Sequence, residues 1–304
     1  MMRIAPHVWF VGPALALMVL ILLVPIAIAG MLSLTDYSLG NPSANYVGLE
    51  NYAKIFDSST YDKMFGATFR YVLVVVPLSV GLGLGAALLI ASLRSFGNLY
   101  KTIYFLPVMA ALIAMAIVWE FALHPTVGLV NAALERGCGT WLEAWDWFAA
   151  GCARNFPLWL GDQDYAIWTV AFIGVWQAFG FNMVLYLAGL ASIPRELYHA
   201  AEVDGAAGAW ERFRLVTWPM LGPTTVFVIT ITFIRSFQVF DTVEAITGGG
   251  PVKTTYVMMY AIYEKAVKQN LVGIGAAITV LFLAFVMVLT LAQRWLVERR
   301  THYV

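Results

Sequence analysis

The chain has 304 residues, of which 61% are hydrophobic and only 12% charged, and its 18 basic and 18 acidic side chains cancel. Soluble domains carry about 25% charged residues, so this composition excludes both a water-covered globule and a disordered chain. With no net charge and no basic run, nucleic acid is excluded as a partner.

A helix rises about 1.5 Å per residue and needs about 20 apolar residues to cross a bilayer. Six stretches meet that requirement, at 8–34, 71–91, 103–122, 166–191, 218–240 and 271–291. The expected fold is therefore an all-α polytopic membrane protein, a single domain over 1–304 with six transmembrane helices. A barrel is excluded because no stretch alternates polar and apolar residues over the ten or so positions of a barrel strand. The first stretch follows Arg3, is too long for a signal-peptide core and lacks a small-residue cleavage site, so it is expected to remain as an anchor.

An even number of crossings puts both termini on one side of the membrane. That side would carry Arg3, Arg94, Lys101, Arg195, Arg212, Arg214, Arg294, Arg299 and Arg300 against Glu196, Glu202, Asp204, Glu211 and Glu298. The other side, with the longer connections 35–70, 123–165 and 241–270, carries eight basic residues and twelve acidic ones. The excess of Lys and Arg predicts cytoplasmic termini. Trp9, Tyr100, Tyr104, Trp168, Trp218 and Trp295 fall where an interfacial aromatic belt is expected.

The connection 123–165 holds Cys138, Cys152 and a segment 140–150 with Trp141, Trp145 and Phe148 at helical spacing. One apolar helical face is expected there, resting on the outer membrane surface or supporting a docking protein. Both cysteines fall in an oxidising compartment under this topology, and their spacing permits either a disulfide or two free buried thiols.

Polar groups inside the spans are few, so each is a candidate site. Gln177 and Asn182 lie in the fourth span beside Trp176 and Phe181, and the fifth ends with Thr232, Arg235, Ser236, Gln238 and Asp241. Sugars present hydroxyls and weakly apolar ring faces, which call for amides, hydroxyls and aromatic platforms. The competing role for each is an interhelical hydrogen bond. Arg235 demands a partner, and a structural ion pair with Glu120 or Asp241 is expected. The alternative is a substrate anchor, which would call for an anionic solute such as a glycerol phosphate.

Between these spans, 192–219 is polar. Pro194 suits a first helical turn; Leu197, Ala200 and Ala201 follow at helical spacing, and Asp204 and Gly205 end the helix. A second short helix carries Trp210, Phe213 and Thr217 on one face. Two short helices joined at a glycine turn, with small side chains exposed, suit insertion into another protein's groove; an amphipathic helix resting on lipid headgroups is the alternative.

At these residues the chain resembles the permease subunits of binding-protein-dependent ABC importers. His199, Ala200 and Ala201, then Asp204, Gly205 and Ala206, then 216–219 (Val-Thr-Trp-Pro) are similar to that family's Glu-Ala-Ala loop, which docks into a cleft on the cytoplasmic ATPase. The runs 47–52 (Val-Gly-Leu-Glu-Asn-Tyr) and 247–251 (Thr-Gly-Gly-Gly-Pro), with Tyr260 and Tyr263, resemble its carbohydrate-uptake branch, of maltose or glycerol-3-phosphate type. The resemblance implies an ATP-driven importer permease in a bacterial inner membrane. Its partners would be a homologous second permease subunit, two ATP-binding subunits, a periplasmic solute-binding protein and membrane lipid. It also implies that Trp176, Gln177, Phe181, Thr232 and Ser236 face a central cavity. His199 replaces the usual loop glutamate, so a contact needing a carboxylate must come from Glu196 or Glu202.

This chain has no G-x-x-x-x-G-K-[ST] phosphate loop, so ATP and Mg are expected only in the partner subunits. Histidines at 7, 124, 199 and 302 lack metal-ligand spacing, and no catalytic constellation lies in the spans. An ion-coupled secondary carrier, the rival function, would need two repeated halves with interrupted helices and titratable groups at mid-membrane. A membrane scaffold would leave the polar pattern of the fourth and fifth spans without a role.

Overall fold

The computed structural model describes residues 6–41, 43–93, 95–154, 156–206 and 208–298. Arg3, Arg94, Arg299 and Arg300, used above for orientation, lie outside them, as do the side chains of Trp9, Trp141, Arg294, Trp295 and Glu298. The described residues form helices and connections, with a single isolated bridge between Thr35 and Tyr46. Among the described residues four helices are long and apolar enough to cross a membrane, and six spans result when each of two bent pairs is counted as one.

The chain divides into two compact units. The first runs to Asp62 and resumes at Met258–Val288. It contains α1 (Val11–Leu32), α2 (Glu50–Phe56), α12 (Met258–Tyr263) and most of α13 (Val272–Glu298). In α1 the mean hydropathy of the span reaches 2.9 and none of it is buried, as a surface facing lipid or another chain requires. The last carbonyls of a helix lack intrahelical partners. Asn51, 3% exposed, supplies donors there: its side-chain amide reaches the carbonyl oxygens of Ser33 at 2.9 Å and Thr35 at 2.8 Å. Tyr52 Oη adds a 2.8 Å hydrogen bond to Ser33 Oγ. The 47–52 motif thus ties down the end of α1. Nearby, the Asn45 side chain and then its backbone N–H donate to Asp36 and hold that carboxyl below the usual aspartate value.

The second unit is Lys63–Val257 with the end of the chain from Leu289. It holds most of α3 (Ser59–Ser92), then α4 (Gly97–Met109), α5 (Leu112–Ala122), α6 (Leu129–Glu135), α7 (Asp146–Arg154), α8 (Ala166–Ala191), α9 (Arg195–Val203), α10 (Ala209–Met220) and α11 (Gly222–Phe237). Helix α3 begins at Ser59 rather than at 71: Asp62, Lys63 and Arg70 end the apolar window but not the helix. The third span is broken, α4 and α5 meeting at 97°. Pro107 removes one backbone donor, and Ala110 (ψ 141°) and Ala111 (ψ 122°) are extended. The fifth is bent by 65° between α10 and α11, where Pro219 and Pro223 flank Leu221.

Helix α8 is the axis of this unit. A Cβ at Gly180 would collide with the Tyr104 carbonyl oxygen, and one at Gly83 would lie 2.7 Å from Asn182 Cβ, so glycine permits backbone approach at both helix contacts. Below the break, Ala87, Ile90, Met183, Tyr186, Ile193, Val216, Leu221 and Val228 form a buried apolar cluster.

In the connection 123–165, the single helix expected over 140–150 is divided. A 3-10 turn covers Trp141–Ala144, Trp145 is extended (ψ 119°) and α7 starts at Asp146. Trp145 is exposed and Phe148 buried, so they do not share a face. Phe148 packs with Trp147 and Phe156, and a disulfide joins Cys138 to Cys152.

Candidate functional site

The α4–α5 break, the middle of α8 and the end of α11 line a half-open cavity of about 580 Å³. Irregular backbone at membrane depth is tolerated where it lines such a space, and Val108, Ala110 and Leu112 do so. Gln177, Phe181 and Asn182 contribute from α8, Thr232, Arg235 and Ser236 from α11, and Gln238, Asp241 and Thr242 from the chain beyond it. Of the side chains expected to contact solute, Gln177, Phe181, Asn182, Thr232, Ser236 and Gln238 line this cavity and Trp176 does not. Trp176 instead packs edge-to-face on Trp119, with ring centres 5.4 Å apart. On α8 it is adjacent to Gln177 and therefore about 100° around the helix, facing α5.

The lining polar groups fall into two sets. Asn182 is 1% exposed, donates to Ser79 Oγ at 3.2 Å and accepts from Thr232 Oγ1 at 2.8 Å. Ser236 Oγ donates to the Thr232 carbonyl oxygen at 2.8 Å. Asn182 and Thr232 thereby link α3, α8 and α11, Ser236 is bonded within α11, and the three have little donor capacity left for a solute. Among the described residues, by contrast, no hydrogen bond engages the side chains of Gln177, Arg235, Gln238 or Asp241. The ion pair expected of Arg235 is not formed. Its guanidinium carbon lies 4.1 Å from the Phe181 ring centre, and neither Glu120 nor Asp241 is within salt-bridge distance. Glu120 is exposed on α5, across the 97° break, and Asp241 follows the end of α11 at Gln238.

Tyr71 and Thr242 also line the cavity and were not singled out from the sequence. A Cβ at Gly174 would strike Tyr71 Oη, which fixes the tyrosine against α8. Tyr71 stood at the very start of the apolar window, and only the continuation of α3 back to Ser59 brings it inside the bundle.

The second feature is the elbow formed by α9 and α10. Pro194 is the residue before α9 rather than its first turn. The helix ends in a glycine-closed turn: Ala206 N–H reaches the Ala201 carbonyl at 2.8 Å, Gly205 N–H reaches that of Glu202 at 3.2 Å, and Gly205 has φ +98°. Gly208 N–H donates to Glu211 Oε2 at 3.0 Å to start α10, and Tyr198 Oη lies 3.0 Å from Thr217 Oγ1, bracing α9. Tyr198 and Ala201 pack against the apolar cluster and Ala206 is buried. Glu196, His199, Ala200, Glu202, Asp204 and Gly205 face outward with Leu197 and with Val203, which is 88% exposed. Ala201 and Ala206 therefore hold the elbow, and the remainder form its outer surface.

The family model of the binding-protein-dependent transport system inner membrane component matches residues 79–302, which include the elbow and the cavity lining apart from Tyr71 and Val75. The chain belongs to this family. The transport component is 30% identical over 293 residues to the probable ABC transporter permease protein YurN of Bacillus subtilis (strain 168), covering 96% of this chain and 95% of that protein. It is also 30% identical over 262 residues to the sn-glycerol-3-phosphate transport system permease protein UgpA of Agrobacterium fabrum (strain C58 / ATCC 33970), covering 86% and 84%. In fold it matches a chain of the bacterial alginate ABC transporter, crystallised with an alginate pentasaccharide-bound periplasmic protein, with a TM-score of 0.81 and 19% identity over 98% of this chain and 97% of that one.

Proposed function

We propose that this inner membrane component is the permease subunit of an ATP-driven importer that passes a sugar or related carbohydrate from a periplasmic binding protein into the cytoplasm. An oligosaccharide, a polyol or a glycerol-3-phosphate-like compound fits this class. The reading rests chiefly on the cavity, where unengaged amides at Gln177 and Gln238 and the carboxylate of Asp241 stand near the aromatic faces of Phe181 and Tyr71. Hydroxyls pair with such groups and apolar ring faces with the aromatics. The substrates in the relatives' names, glycerol 3-phosphate for UgpA and alginate for the structural match, belong to this chemical range.

ATP would be hydrolysed with Mg on two partner subunits, a second homologous permease would complete the passage, and both termini would be cytoplasmic. The elbow would transmit the ATPase's closure to the spans: α9 is braced by Tyr198 on Thr217 and seated on the apolar cluster, so a push on its outer face moves α8 and α11 with it. Alternation between outward and inward states requires that the partners bind the two states with different affinity. Copurification tests this directly. The permease should carry a soluble ATPase through affinity purification from membranes, and a complex with no nucleotide-hydrolysing subunit would overturn the reading.

A further inference from the structure

A neutral carbohydrate can accept hydrogen bonds from Arg235 but leaves its charge unmatched. Arg235 stands in the last turn of α11, lines the cavity and has its guanidinium over the Phe181 ring. Neither Glu120 nor Asp241 forms an ion pair with it, and among the described residues no hydrogen bond engages its donors. Arg235 is exposed to the cavity, so its donors can meet a solute there, and the Phe181 ring occupies only one face of the guanidinium. The guanidinium fork matches two oxygens of a carboxylate or phosphate, and a ring stacked on one side restrains its plane before the anion arrives.

Resting on the carbohydrate reading above, we propose that Arg235 is the specificity residue of the cavity and that the transported carbohydrate is anionic, its carboxylate or phosphate held by this guanidinium. Gln177, Gln238 and Asp241 take the hydroxyls.

The test uses the complete importer with its binding protein in proteoliposomes. ATP-dependent uptake is compared within two pairs: galacturonate oligosaccharides against neutral galactose oligosaccharides, and glycerol 3-phosphate against glycerol. The acidic member of one pair should be preferred, and which pair responds separates carboxylate from phosphate. Arg235→Gln should lower that uptake about ten-fold or more, as expected for losing a charge-assisted contact, while Arg235→Lys retains part of it. An acidic solute carried equally well by the Gln variant overturns the inference. So does equal loss for acidic and neutral members, which assigns Arg235 to structure. Uptake of neutral members alone overturns the inference and leaves the carbohydrate reading standing; uptake of no carbohydrate removes both.

Discussion

The cavity forms where α4 gives way to α5 at Ala110 and Ala111, and the elbow forms where α9 gives way to α10 at Gly205. Both are interruptions of helix, yet the first borders a half-open cavity and the second is an exposed corner. At the corner the loose carbonyls are closed locally, by the bonds from Gly205 and Ala206. At the cavity the backbone is left extended and its surroundings must accommodate it. A locally closed corner can move as a rigid piece, whereas an opened strand of backbone makes room for a solute.

Five variants test that contrast, from the largest effect to the smallest. Gly205→Trp should abolish ATPase association and uptake while membrane insertion persists. A Cβ there meets open space, so the damage to folding is limited to the cost of a positive φ, about 1 kcal/mol. Normal association in that variant would remove the elbow from coupling. Gly180→Leu drives a side chain into the Tyr104 carbonyl and should destabilise by roughly 3 kcal/mol, seen as a lower melting temperature of the purified complex. An unchanged melting temperature would mean that α4 and α8 can part without cost. Asn182→Leu strands Ser79 and Thr232 and should cost about 1–3 kcal/mol. Gln177→Ala should instead leave stability intact and raise the half-saturating solute concentration roughly 2- to 10-fold; the reverse pattern would exchange the roles assigned to the two side chains. Trp176→Phe keeps most of the packing on Trp119 and should leave solute preference unchanged. Altered preference there would return Trp176 to the solute's path.

The elbow was legible in the sequence because its determinants are local. Pro194, Asp204 and Gly205 announce their backbone geometry by residue type. The stripe of Leu197, Ala200 and Ala201 is divided by packing, Ala201 turning inward with Tyr198 while Leu197 and Ala200 stay outside. The cavity was legible in part. Gln177, Asn182, Thr232 and Ser236 stood out as polar groups in apolar spans, but composition does not distinguish a group that bonds its neighbours from one that waits for a ligand. That distinction depends on Ser79 and Thr232 lying within reach of Asn182, and on neither Glu120 nor Asp241 lying within ion-pair reach of Arg235. The broken third span was hidden for a related reason, since two alanines after Pro107 suit either helix or extended chain and the packing around the cavity decides. In the connection 123–165, helical spacing of Trp145 and Phe148 misled because Asp146 starts the helix between them.

Stimulation of ATP hydrolysis by candidate solutes, in the reconstituted importer with its binding protein, tests the central claim most directly. Carbohydrates or their acidic derivatives should raise the hydrolysis rate in wild type and fail to do so with Gly205→Trp. Stimulation by amino acids or metal ions, with none by carbohydrates, would contradict it.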